Sequence, residues 1–71
     1  MTAAELVTYA EAEIARLGLG DSATNCHGVA AYEAGPNACR LSDGVGLDVT
    51  VTDTDEIDTE LEEMAAYYAE A

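Results

Sequence analysis

Three side chains in the middle of the sequence have the chemistry of metal ligands: Cys26, His27 and Cys39. Thiolate sulfur and imidazole nitrogen are the atoms that bind zinc in proteins. Their spacing is unfavourable, because there is no C-x-x-C pair and neighbouring residues of a strand point to opposite faces. A fourth ligand would have to be Asp43, Asp48 or water. We therefore expect two reduced thiols, a solvent-facing imidazole and no resident cofactor, and keep zinc at these three residues as the alternative.

The same residues offer one arrangement for covalent catalysis, a cysteine thiol activated by His27. Such catalysis needs the imidazole within hydrogen-bond reach of the sulfur. Only Cys39, from a neighbouring strand, meets that requirement, and no third residue is recognisable as the group that orients the imidazole. Enzymatic activity is therefore not expected. A disulfide between the two cysteines is a further alternative, which a reducing cytoplasm disfavours.

A run of acidic residues opens the C-terminal segment and suggests a site for calcium or magnesium. The pattern of a calcium-binding loop is not met: Ile57 stands where an oxygen ligand belongs, Asp58 replaces the required glycine, and Met64 replaces the closing glutamate. A solvated start of a helix is the better interpretation. The run consists of Asp53, Asp55, Glu56, Asp58, Glu60, Glu62 and Glu63.

Tyrosine is the largest side chain in the sequence, which has no Phe or Trp, and it occurs four times. Side chains of this kind either close a small core or anchor an interface. Tyr67 and Tyr68 are neighbours on a helix, so they cannot both point into the same core. We predict interface contacts for Tyr32, Tyr67 and Tyr68.

Two segments have the apolar periodicity of amphipathic helices. The first, about residues 3–17, begins with Thr2 and Glu5 at capping-box spacing and ends before Gly18, which suits the left-handed position after a helix. The second, about residues 55–69, follows Asp53, a residue type typical of the N-cap. The apolar positions are Leu6, Ala10, Ile14 and Leu17 in the first helix, and Ile57, Leu61, Met64, Ala65 and Tyr68 in the second.

The residues between the helices have the alternation and turn signals of short strands. Residues 47–52 alternate apolar and polar side chains, which predicts a half-buried strand. Turns at Gly35-Pro36-Asn37 and Ser42-Asp43-Gly44 enclose a short strand at about residues 38–41. Residues 26–33 are predicted as the first strand, with a short helix as the alternative because the segment is rich in alanine.

These elements predict one α+β domain over residues 1–71, in the order α-β-β-β-α. Its three strands would form an antiparallel meander, with both helices packed on one face of the sheet. The other face could stay open, and the edge strands could pair with a second copy of the chain. A homodimer would support a core that is small in a chain of this length.

Charge dominates the composition, with 15 Asp and Glu against two Arg, no Lys and a formal net charge of -13. Self-repulsion of this size destabilises a compact chain, and multimolar salt removes it by shortening the Debye length to about 3 Å. Bulky aliphatic residues are few, which is also a sign of disorder. We reject disorder because the apolar residues are periodic and the cap residues are in place, but we expect partial unfolding in low salt.

In composition, though in no motif, the chain resembles the proteins of haloarchaea, whose cytoplasm holds multimolar potassium chloride. That resemblance implies a salt-adapted, acidic surface and a cytoplasmic location. The sequence shows no signal peptide and no apolar run of 18 residues, so no membrane partner is expected. Because of the negative charge, nucleic acid is not expected as a partner.

The sequence contains too few reactive residues for an obvious active site. We therefore predict a small protein-interaction or accessory module that is homodimeric and salt-adapted. The alternative is a small metal-binding or thiol-redox protein that uses Cys26, His27 and Cys39.

Overall fold

The computed structural model describes residues 1–20, 28–44 and 46–70. The described elements follow the order α-β-β-β-α, as the sequence predicts. Their bounds are α1 Ala3–Leu17, β1 Ala30–Glu33, β2 Cys39–Ser42, β3 Asp48–Val51 and α2 Thr54–Glu70.

Helix α1 is fixed at both ends by the residues that the sequence indicates. The Thr2 hydroxyl accepts a hydrogen bond from the Glu5 backbone N–H at 3.2 Å, and the Glu5 carboxylate accepts one from the Thr2 N–H at 2.9 Å. Gly18 ends the helix with a φ of 71°, in the left-handed region that favours glycine. The next amide, Leu19 N–H, turns back to the Ile14 carbonyl at 3.0 Å. The capping box and the glycine terminator are both confirmed.

The sheet is an antiparallel meander with β2 in the centre. Two rows of side chains cross its strands: Ala31, Leu41 and Val49 in one, and Tyr32, Arg40 and Thr50 in the next. Because side chains alternate along a strand, the rows lie on opposite faces. Leu41 is fully buried under the helices, whereas Tyr32 is half exposed on the far face. The first strand begins at Ala30, so it is shorter than the predicted span 26–33, and residues 26 and 27 lie outside the described part.

Helix α2 begins one residue earlier than predicted, at Thr54. Asp53 caps it, since its carboxylate accepts a hydrogen bond from the Glu56 N–H at 2.8 Å. The negative side chains of the first turn lie at the positive end of the helix dipole, which favours this start.

Both helices contact the sheet and each other, with α1 against β1 and β2 and α2 against β3. One apolar cluster fills the space between the layers. Its buried members are Leu6, Ala10, Ile14, Leu19, Val29, Cys39, Leu41, Val51, Ile57, Leu61 and Met64. Neither described helix combines the length and the apolar character needed to cross a bilayer.

Candidate functional site

The predicted metal or redox set is only partly visible in the structure. Cys39 is a free cysteine at the inner face of β2, fully buried in the core. Burial raises the pKa of its thiol above the ordinary value, which keeps the sulfur protonated and unreactive. Cys26 and His27 lie outside the described residues. Within residues 1–20, 28–44 and 46–70, no group of three His, Cys, Asp or Glu side chains is placed to hold a metal ion.

The three predicted interface tyrosines lie in different surroundings. Tyr67 is 59% exposed on α2, and Tyr32 is 51% exposed on the open face of the sheet. Tyr68 is half-buried against the core, and its hydroxyl donates to the Asp43 carboxylate at 2.8 Å. The structure therefore does not bring the three together on one surface.

Among the described strands, β3 is an edge of the sheet and pairs with β2 along one side. The Asp43 N–H donates to the Leu47 carbonyl at 3.0 Å, which makes residues 43 and 47 a hydrogen-bonded pair. Such pairs alternate with non-bonded ones along an antiparallel ladder. The backbone N–H and C=O groups of Asp48 and Thr50 therefore point away from β2, and no described residue hydrogen-bonds to them.

The end of this edge is closed by the chain itself. The next outward-pointing amide belongs to Thr52, and the Glu56 carboxylate accepts a hydrogen bond from it at 3.3 Å. The same carboxylate accepts from the Thr52 hydroxyl at 2.8 Å. The open part of the edge thus consists of Asp48 and Thr50.

A groove of about 370 Å³ runs beside this open edge, between β3 and α2. Its apolar floor is formed by side chains that pack on the core. Two acidic residues of α2, Glu60 and Glu63, line it from the helix side, three positions apart and so on one helical face. We call this feature the β3–α2 groove; its lining residues are Leu47, Asp48, Val49, Glu60, Glu63, Met64 and Tyr67.

Asp48 is held in place by a chain of contacts across the open face of the sheet. Arg40 Nε lies 2.9 Å from each Asp48 carboxylate oxygen, and Arg40 Nη2 lies 2.7 Å from Oδ2. The guanidinium also lies over the Tyr32 ring, 5.7 Å from its centroid. The hydrogen bond from Arg40 lowers the pKa of Asp48, so this carboxylate stays ionised.

The loop between β2 and β3 positions the far end of the groove. Asp43 is buried, and one of its carboxylate oxygens accepts hydrogen bonds from the backbone N–H groups of Gly46 and Leu47 at 3.0 and 2.9 Å. The other oxygen accepts from Tyr68. This contact ties α2 to the loop and leaves the neighbouring Tyr67 on the groove, with its ring 5.6 Å from that of Tyr68.

The sequence predicts Tyr67 as an interface residue, which stays a prediction, and it does not predict the groove that Tyr67 lines. The sequence predicts Asp43 as a turn residue and a possible metal ligand, because a buried carboxylate that orders a loop has the same sequence signature. The sequence shows that Glu60 and Glu63 lie on one face of α2. The strand that this face lies beside depends on the strand order, which no local sequence pattern indicates.

Comparisons of the chain with models of protein families, with curated proteins and with solved structures found no match. Its function is therefore argued from its own residues and their geometry.

Proposed function

We propose that this chain is a protein-interaction module that binds an extended segment of a partner as an additional strand on β3. The β3–α2 groove would receive the side chains of that segment that point towards the helices. Recognition of this kind uses backbone hydrogen bonds for affinity and side-chain pockets for specificity.

One observation carries the proposal: an open strand edge lies directly beside an apolar groove. An unpaired strand edge can pair with other chains and cause aggregation, so proteins usually cover or interrupt it. Here Glu56 closes the edge at Thr52, and no other described residue covers it at Asp48 and Thr50. An exposed tyrosine, a residue type enriched in protein interfaces, stands on the same groove.

Proline at position 50 tests the proposal. Thr50→Pro removes the outward N–H and leaves the pairing of β3 with β2 intact, since edge strands tolerate proline at such positions. Thr50→Val is the matched control, because it changes the side chain and keeps the N–H. The tagged variants are purified in multimolar KCl from the cells that naturally contain the chain. We expect a stoichiometric partner with the original chain and with Thr50→Val, and its loss with Thr50→Pro.

Two outcomes count against the proposal. A partner that is retained equally by both variants binds somewhere other than β3. Repeated purification that yields no stoichiometric partner, from a chain that light scattering finds monomeric, removes the interaction function altogether. Circular dichroism of each variant shows whether the fold is retained.

Self-association is the form of interaction that the sequence predicts, and it stays a proposal. An open edge strand can pair with its own copy about a two-fold axis. Light scattering in multimolar KCl tests it, because a monomer has a mass of 7.4 kDa. A particle of that mass at all concentrations would end the homodimer proposal.

The metal or thiol-redox role is the alternative proposal. Of the three residues proposed for this role, only Cys39 lies among the described residues. It is buried, as a thiol of the core is. Elemental analysis of protein purified without chelator tests this role. Near-stoichiometric zinc that is lost in Cys26→Ser would establish it, and a metal-free, folded chain would leave it without support.

A further inference from the structure

The charge of the β3–α2 groove indicates which kind of segment it fits. Its charged lining residues are Asp48, Glu60 and Glu63, but the Asp48 carboxylate is bound to Arg40 on the opposite face of the sheet, so the negative charge inside the groove comes from Glu60 and Glu63. Asp48 is already paired with Arg40, whereas no described residue forms an ion pair with Glu60 or Glu63. Two like charges three positions apart on a helix repel each other, and a cation placed between them relieves that repulsion.

The shape of the groove adds a second requirement. Its floor is apolar, formed by Leu47, Val49 and Met64, and the acids stand on the helix side. Lysine and arginine meet both conditions, because they lay an apolar stem along a hydrophobic surface and carry the charge at the end. The exposed ring of Tyr67 favours a cation as well.

The chain itself offers no such side chain to its own groove. It contains no lysine and two arginines. Arg16 is bound to Glu13 on α1, and Arg40 is bound to Asp48 on the opposite face of the sheet. A second copy would therefore bring a further pair of groove glutamates, no lysine, and two arginines that are already paired.

From these observations we propose that the occupant of the β3–α2 groove is an extended segment of a different protein with lysine or arginine at every second position. Its backbone pairs with Asp48 and Thr50. Its inward-pointing cationic side chains lie on the apolar floor and reach Glu60 and Glu63. This inference rests on the proposed function, and it names the chemistry of the partner.

Two synthetic peptides test the inference: one alternates lysine and threonine, and the other alternates glutamine and threonine. Glutamine removes the charge and keeps part of the apolar stem. Binding is measured by calorimetry at the lowest KCl concentration at which circular dichroism shows the folded chain. We expect the lysine peptide to bind more tightly than the glutamine peptide, and its affinity to fall as KCl is raised.

Matched variants separate the groove from the general acidity of the chain. Glu63 and Glu62 are adjacent and exposed on α2, but only Glu63 lines the groove. Glu63→Gln should weaken binding of the lysine peptide roughly twofold to fivefold, the range of one exposed ion pair, and Glu62→Gln should leave it nearly unchanged. Equal effects of the two variants would mean non-specific attraction and would overturn the inference.

The proline variant distinguishes failure of this inference from failure of the proposed function. Thr50→Pro should abolish binding of the lysine peptide. If neither peptide binds, but the chain forms a dimer that Thr50→Pro abolishes, the occupant is a second copy and only the inference is wrong. If Thr50→Pro changes neither peptide binding nor self-association, strand addition at β3 is wrong as well.

Discussion

At the scale of single residues, the pair Asp43 and Tyr68 holds the loop beside the groove. Asp43 is nearly fully buried. Loss of the hydrogen bond from Tyr68 therefore leaves the buried Asp43 carboxylate with one donor fewer. Tyr68→Phe should lower the free energy of unfolding by about 1–2 kcal/mol. Tyr67→Phe is the control, because no described residue hydrogen-bonds to its hydroxyl, and it should change stability by less than about 0.5 kcal/mol. Chemical denaturation of the two variants measures the difference; equal stabilities would contradict this role of Tyr68.

The same tyrosine gives the fold an alkaline pH dependence. Burial, and then the hydrogen bond to Asp43, raise the pKa of Tyr68 above the ordinary value of 10.0. Because the pKa is raised in the folded state, folding favours the protonated hydroxyl. The contribution of Tyr68 to stability is therefore complete below pH 10 and is lost as the pH rises further. We expect the unfolding temperature to fall above pH 10, and to fall less in Tyr68→Phe. If the unfolding temperatures of the original chain and of Tyr68→Phe fall identically above pH 10, the group that ionises is not Tyr68. Tyr9 is then a candidate, since its pKa is also raised by its hydrogen bond to Asp58.

Cys39 should behave as a core thiol. It is fully buried and its pKa is raised by burial, so little thiolate is available at neutral pH. We expect Cys39 to resist alkylation in the folded chain and to react after unfolding, with the modified residue identified by mass spectrometry of the peptides. Rapid modification of Cys39 in the folded state would place it at an accessible site and revive a redox role.

At the scale of the elements, the capping box of α1 is a separable contribution to stability. Thr2→Ala removes the hydroxyl that accepts the Glu5 N–H, and such losses cost about 1 kcal/mol. Thr8→Ala is the control in the same helix. Its hydroxyl bonds only to the Ala4 carbonyl, an arrangement that does not strengthen a helix, and alanine is the better helix former. Thermal unfolding should show a loss for Thr2→Ala and no loss, or a gain, for Thr8→Ala; the reverse order would refute this role of the cap.

Local signals were enough to predict the helices and the meander. Contacts between residues far apart in the sequence could not be predicted from these signals. Thr2, Gly18 and Asp53 act on residues a few positions away, so their roles can be inferred from spacing. The first strand was predicted too long, because its alanine-rich sequence has no clear boundary. The groove could not be predicted, since it depends on β3 lying at the edge and on α2 packing beside it.

For the molecule as a whole, we expect the net charge of -13 on one small chain to make its stability depend on salt. Added KCl screens the repulsion and strengthens apolar burial, so the unfolding temperature should rise steadily with its concentration. Glu62→Lys should stabilise the chain in low salt and have little effect in multimolar KCl, because the gain is long-range and screened. Circular dichroism during heating measures both effects. A stability that does not change with KCl would contradict salt adaptation.

Amide hydrogen exchange shows whether a partner strand pairs with the open edge at Asp48 and Thr50. Exchange is measured residue by residue, with and without a saturating amount of the peptide that alternates lysine and threonine. We expect the amides of Asp48 and Thr50 to become protected, while the amides of α1 exchange as before. Unchanged exchange at both edge amides, with the peptide bound, would contradict strand addition at β3.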